Sequence, residues 1–417
     1  MFFKLFEKLN KYEKFRYFYI SPLVYSIGDS SEQIVITSQK IQNKKIIILF
    51  PFFFKNFLNY EICNKYLFDS LVINNSSNTK NFLNFFFNIL FNLEFFLKRI
   101  NHIIALKLFK FKKRNFEFPT IGIHKIYNNY LIKKNFNDIV EIDISKSNIF
   151  LSEEKKNLCR LILSENNIPL KKIVCLHVRD GGYKNDFNRK SYRNSSILNY
   201  HKLIDYLVEK NYFVIRMGDN SATKSNYSHK LFLDYAHSNI NSRLMDIFLI
   251  SECSFFIGTQ SGILDLAYMF NKPVLTTNMC ELFCSYPRKN NDRGLLKKIM
   301  MKDTGQELNL KDYIKMNYSK HNPEIEQKEF EYIENSPKEL YDAVVEFENL
   351  FNLKKFDLSY EQTKINKQIK DKFKKEFYSD LIKTDNYFDR MENGKIALWV
   401  KSFKRSLCEN YLSDNAK

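Results

Sequence analysis

Residues Lys172–Asp186 read KIVCLHVRDGGYKND, an apolar run that passes abruptly into His177, Arg179, Asp180 and two glycines. The part from Ile173 to Val178 is short, β-branched and apolar apart from His177. That is how a strand covered on both faces of a parallel sheet reads. In open α/β sheets ligands bind beyond the carboxyl ends of the strands, which places His177, Arg179 and Asp180 at a substrate crevice. Gly181 and Gly182 let the following loop turn sharply and bring backbone close to a ligand. The bland alternative is a polar strand end with a solvated turn.

Similar runs recur downstream at Tyr212–Gly218, Ser254–Thr259 and Pro273–Asn278, separated by helix-length segments such as Ser196–Lys210 and Ser242–Glu252. Each run ends in Gly, Asp, Arg, Thr or Asn, so a Rossmann-like domain with its loops gathered on one rim is expected. The dinucleotide signature GxGxxG is missing, as are a Walker loop, HExxH and the kinase loop set, which disfavours several common enzyme classes. Upstream, Lys45–Pro51 and Asp69–Asn74 also read as strands, after a turn at Ser26–Ser31. Alternation with helices predicts a second parallel sheet there. The expected organisation is 1–168, an acceptor-side domain; 169–335, a nucleotide-binding domain; and 336–417, a helical extension. Ser336-Pro-Lys-Glu339 opens that extension as a capped helix start.

Composition narrows the class. The 417 residues suffice for two ordinary cores, and 44% hydrophobic content argues against disorder. A formal net charge of +18 favours phosphorylated ligands, anionic lipid or nucleic acid. The positive residues are dispersed and form no recognised nucleic-acid module, so no nucleic-acid partner is expected. Seven cysteines, mostly in apolar runs, suit reduced core thiols and a cytoplasmic chain. Cys280 and Cys284 lack a second pair at finger-like spacing, so no metal is expected. The start MFFKLFEKLNKYEKF has no continuous signal-peptide core, and export is not expected.

From Asn81 to Arg114 runs NFLNFFFNILFNLEFFLKRINHIIALKLFKFKKR, which predicts a long helix over Phe82–Phe109. Asn81, Asn84, Asn88 and Asn92 recur at helical spacing as a narrow polar stripe on an otherwise apolar cylinder. Lys107, Lys110, Lys112, Lys113 and Arg114 follow, so its basic end is expected either to be a solvated loop or to touch an anionic membrane from the cytoplasmic side.

The chemistry-bearing residues form four strand-end groups. They are His177, Arg179 and Asp180; Arg216, Gly218 and Asp219; Asp246 at a helix start; and Thr259, Gln260, Ser261 and Gly262 with Asp265 following. Small residues between a buried strand and a helix expose amides that favour phosphate, although a plain capped turn looks the same. Asp265 is placed to accept from a sugar hydroxyl or to be a solvated helix residue.

CLHVRDGGY, then SYRNSSILNY from Ser191, then YFVIRMGDN, then DIFLISECSFFIGTQSGILDLAYMFNKPVLTTN from Asp246, together resemble a bacterial glycosyltransferase family found with surface-polysaccharide genes. The match covers Pro169–Asn278, with echoes in SIGDSS (26–31) and SPKELYDAVVEF (336–347). The resemblance implies GT-B architecture, two Rossmann-like domains facing a cleft, and metal-independent transfer with a nucleotide sugar as co-substrate rather than a cofactor. It implies a glycan or lipid-linked glycan acceptor of the lipopolysaccharide, O-antigen or capsule type. More distantly, His177-Val178-Arg179 is similar to the fucosyltransferase HxR motif, which puts Arg179 on the donor diphosphate. There the acidic residue comes later, whereas Asp180 follows at once here, so GDP-fucose does not follow.

The chemistry suits these residues, because charge develops on the departing diphosphate and fixed cations stabilise it. Arg179 supplies one, with Arg193 or Arg216 a second, and a guanidinium donates two parallel bonds to phosphate. His177 orients the donor or acts as a base, or is a hydrogen-bonded structural histidine. Asp29 is the expected base for the acceptor proton. Competing readings are pyruvyl transfer in polysaccharide decoration and a non-catalytic basic protein that binds nucleic acid or membrane.

Overall fold

The computed structural model describes residues 2–11, 17–21, 27–28, 30–31, 34–35, 45–49, 64, 66, 71–73, 82–108, 149–182, 191–280, 287–289, 292–315, 329–354, 357–381 and 406–415. Its centre is a parallel sheet built from β5 (Ile173–His177), β6 (Phe213–Met217), β7 (Phe232–Leu233), β8 (Phe255–Thr259), β9 (Val274–Met279), β10 (Arg293–Leu296) and β13 (Ser406–Leu407). Their order is β13-β10-β9-β8-β5-β6-β7, with every pairing parallel. Alternate residues explain why the sequence shows no polar face. Ile173 and Cys175 point into one core, and Val174 and Leu176 point into the other.

Helices cover both faces. α4 (His201–Glu209) and α8 (Pro337–Leu353) lie on the Val174 side, with α7 (Leu310–Lys315), α9 (Tyr360–Leu381) and α10 (Glu409–Asn415). α3 (Glu153–Glu165), α5 (Arg243–Glu252) and α6 (Gly262–Met269) lie on the Cys175 side. The chain therefore runs outward from β5 through α4 to β6 and β7, then returns through α5 to β8 on the other side of β5. The sheet is doubly wound, and its switch point lies between β5 and β8.

Local signals behave as their chemistry requires. Ser242 caps α5 by accepting from the Met245 amide at 3.2 Å. Ser336 and Glu339 close a reciprocal capping box at α8, with Pro337 in the first turn. β11 (Lys298–Met301) and β12 (Phe330–Ile333) pair antiparallel as a separate two-stranded sheet.

In the first part, α1 (Phe2–Lys11) precedes β1 (Tyr17–Ile20), which pairs in parallel with β2 (Lys45–Ile48), as the sequence predicts. β3 (Leu71–Ile73) departs from that expectation: it pairs antiparallel with β4 (Ile149–Leu151). A strand of three residues carries no sequence signal for its direction. Phe18, Ile20, Ile34, Val35, Ile48 and Leu151 enter the same core as Cys175 and Phe248. After residue 335 the described residues form α8, α9 and α10, and Ser406 and Leu407 add an edge strand beside Arg293 and Gly294.

α2 (Phe82–Leu108) is the expected long helix. Asn92 and Glu94 are buried with Phe91 and Phe95, whereas Phe86, Ile89, Leu93 and Leu97 are 39–51% exposed. These four share one stripe at helical spacing. A helix apolar nearly all round gives periodicity no contrast with which to choose its inner side. Lys110–Arg114 lie outside the described residues, and among the described residues no helix is long and apolar enough to cross a membrane.

Candidate functional site

Parallel pairing brings the carboxyl ends of β5, β6, β8 and β9 to one rim, so residues 40 to 80 positions apart become neighbours. His177 stands opposite Gly258 in the β5–β8 register. The Arg179 amide donates to Thr259 Oγ1 at 2.9 Å, and its carbonyl accepts from the Ser195 amide at 2.8 Å. Its guanidinium Nη1 donates to Asn194 Oδ1. Arg193 Nη2 reaches the Gln260 carbonyl at 2.7 Å. Arg179, Arg193, Thr259 and Gln260 thus meet at the switch point.

Ser261 precedes α6 but does not cap it with its side chain. Its hydroxyl lies 3.2 Å from His177 Nδ1 and donates to the Thr259 carbonyl at 3.2 Å. Helix-start amides without a side-chain cap suit an anion. On the other flank Gly28, which the sequence predicts to lie in a turn and which is helical here, presses in: a Cβ at Gly28 would stand 2.6 Å from Asp265 Oδ2 and 3.0 Å from Gly262 Cα. Only glycine fits there. Asp265 Oδ1 accepts from Arg288 Nη2 at 2.9 Å, so this acid is held by a guanidinium at the helix start. Asp29 lies outside the described residues.

Arg216 and Asp219 take structural positions on the same rim. Arg216 is 1% exposed and pairs with Asp234 at 3.0 Å, so it is enclosed beneath the β6 loop. The sequence offered no sign of this, because an arginine inside a strand looks the same whether it faces a ligand or a buried acid. Gly218 has φ +154°, a backbone position that glycine fills without strain, and its carbonyl accepts from Asn241 Nδ2 at 3.0 Å. Asp219 accepts from the Ser221 amide at 2.8 Å. Asp180 accepts from the amides of Gly182 at 3.1 Å and Thr223 at 2.5 Å.

These surroundings set the charge states. Burial, then the Arg216 charge, pushes His177 down to about 4 against the pull of Asp180, so the imidazole is neutral at physiological pH. Burial opposes the Asp180 carboxylate, yet the Thr223 and Gly182 amides and Arg216 hold its pKa below the usual range. Asp246 lies in the first turn of α5, where Oδ1 accepts from the Tyr235 hydroxyl at 2.8 Å. Burial pushes it up to about 7 despite Tyr235 and Arg243, with Asp219 adding to the rise. It can exchange a proton near neutrality.

Lys297, just beyond β10 on this rim, went unread in the sequence because LLKK looks like a strand end with solvated lysines. Its Nζ donates to the Asn194 carbonyl at 2.6 Å. Among the described residues no three His, Cys, Asp or Glu side chains form a metal-ligand group, and Cys280 is a buried thiol that donates to Gln260 Oε1 at 3.5 Å.

Sheet order and helix placement define a doubly wound α/β protein. Among solved structures the chain is similar to E. coli ADP-heptose lps heptosyltransferase II, with a TM-score of 0.37 and 9% identity, covering 82% of this chain and 100% of that one. No family model and no curated protein matches it.

Proposed function

We propose that the chain is a metal-independent GT-B glycosyltransferase that moves a sugar from a nucleotide-activated donor to a surface-glycan acceptor of the lipopolysaccharide, O-antigen or capsule type. The observation that carries this reading is the convergence of Arg179, Arg193 and the Thr259–Gly262 segment at the β5/β8 switch point. The donor diphosphate lies over these groups, and charge arising on it as the glycosidic bond breaks meets guanidinium groups already in place. Neutral His177 orients the donor through the Ser261 side. Asp29, next to Gly28, accepts the acceptor's proton. In this reading 1–168 forms the acceptor side, 169–335 holds the donor and 336–417 braces the sheet.

A thermal-shift panel of nucleoside diphosphates and nucleotide sugars tests it. A diphosphate of one base at about a hundred times its Kd stabilises by roughly 2.7 kcal/mol, which raises Tm by several degrees. Absence of any shift, with salt-dependent retardation of RNA or DNA instead, would overturn the reading in favour of a nucleic-acid binder.

A lipid-linked acceptor requires approach to a membrane, and we propose the exposed stripe of α2 as the contact with an anionic bilayer. Phe86, Ile89, Leu93 and Leu97 form its apolar edge, and Lys98 beside them is half exposed. The positive chain complements the anionic surface. Phe86→Ser with Leu93→Ser removes two side chains worth roughly 1.5–3 kcal/mol each on full burial, so partitioning onto phosphatidylglycerol vesicles should fall by about tenfold or more. Equal sedimentation of wild type and variant, or equal binding to neutral vesicles, would exclude this contact. Concentration-dependent dimerisation lost in the variant would instead assign the stripe to a second copy.

A further inference from the structure

The segment Arg193–Ser196 bridges two cations. Asn194 accepts from Arg179 through its side chain and from Lys297 through its carbonyl. Arg193, one residue earlier, is tied to the Gln260 carbonyl. Lys297 is 3% exposed, an unusual place for an ammonium whose bond is to a neutral carbonyl. Burial lowers its pKa and the Arg179 charge lowers it further, whereas Cys280 and Glu334 oppose them. The Glu334 carboxylate is already engaged, by the Ser196 amide at 2.8 Å and Asn199 Nδ2 at 3.0 Å. Beside these cations the Ser195 hydroxyl is buried with no hydrogen-bond partner among the described residues. Three cationic side chains are thus gathered at one sheet rim, next to a buried hydroxyl. An anion bearing more than one charge complements such a cluster.

We infer that Lys297 completes, with Arg179 and Arg193, a subsite for a diphosphate, acting as a positioning residue. It pins the Asn194 backbone, and through it both guanidinium groups, and adds positive potential from below. That the diphosphate belongs to a nucleotide rests on the functional reading above; the anion subsite does not.

Affinity for inorganic pyrophosphate and for the best nucleoside diphosphate, measured by calorimetry, tests this on the full chain. Lys297→Met should keep or raise Tm, because a buried ammonium is replaced by an apolar chain of similar length, and should weaken pyrophosphate binding about tenfold or more. Lys298→Met is the control for net charge. Lys298 is 37% exposed and pairs with Glu339 at 3.6 Å, so its variant should bind as wild type does. Equal affinity in wild type and Lys297→Met overturns the inference and leaves the nucleotide reading standing. Wild type that binds pyrophosphate but no nucleoside diphosphate supports the subsite and sinks the nucleotide reading, and wild type that binds neither sinks both.

If Lys297→Met does not fold, Lys297→Arg decides the matter. Wild-type affinity should fall as pH rises through the lowered lysine pKa, and the arginine variant should hold its affinity there. Coincident pH profiles overturn the inference.

Discussion

Arg179→Lys is expected to lower donor turnover by about tenfold or more while leaving the fold intact, because it keeps the charge and loses the two parallel bonds of a guanidinium. Arg179→Ala is expected to fall further, since charge developing on the leaving diphosphate then lacks its fixed partner. The backbone of this residue is held independently of its side chain: its amide is bound by Thr259 and its carbonyl by Ser195. Substitution therefore removes a head group from an anchored position. Tm and the kcat and KM for the donor, measured for both variants, separate this from a purely structural role. A structural arginine would show lost stability with turnover unchanged per folded molecule. Stable variants with wild-type turnover would remove Arg179 from the chemistry, and with it the main reason to place a site at the end of β5.

Legibility followed burial. β5, β6, β8 and β9 were readable because each is covered on both faces and so appears as an unbroken apolar run ending in polar residues. The Ser336 cap was readable because capping needs a short side-chain oxygen at a fixed offset from Glu339. β7 and β13, with two residues each, carry no periodicity, so the sheet's edges were invisible. The strand-end groups were visible as residue types. Their roles were not, because partners far away in sequence decide them: Asp234 claims Arg216, Arg288 claims Asp265, and Asn194 links Arg179 to Lys297. The inner side of α2 was not legible for a related reason, since Asn92 and Glu94 find places within the protein that no helical wheel displays.

The largest expected loss of stability follows from Asp292→Ala. Asp292 is fully buried, and its carboxylate accepts from the amides of Val274 at 2.9 Å, Lys289 at 2.7 Å and Arg288 at 3.3 Å. The buried Lys289 ammonium lies 3.9 Å from it and also donates to the Lys272 carbonyl. Burial raises the Asp292 pKa and lowers that of Lys289, and each charge opposes the other's shift. Removing the carboxylate leaves an ammonium and three amides in the interior, at a cost of about 3–5 kcal/mol and a Tm lower by on the order of ten degrees. Adding Lys289→Met should recover part of this, because the orphaned charge accounts for much of the loss. A fall below about 1 kcal/mol in chemical denaturation would show that the pair is dispensable. The consequence reaches the rim. The turn that Asp292 holds carries Arg288, whose guanidinium binds Asp265 at the start of α6 and lies 4.8 Å from the Tyr268 ring centroid. Asp265 in turn meets Gly28 of the first part. At a temperature where the variant remains folded, nucleoside diphosphate binding should therefore weaken even though Asp292 itself is sealed from any ligand. Unchanged affinity there would confine Asp292 to the sheet edge and leave the start of α6 to be held by Gly28 and Gly262 alone.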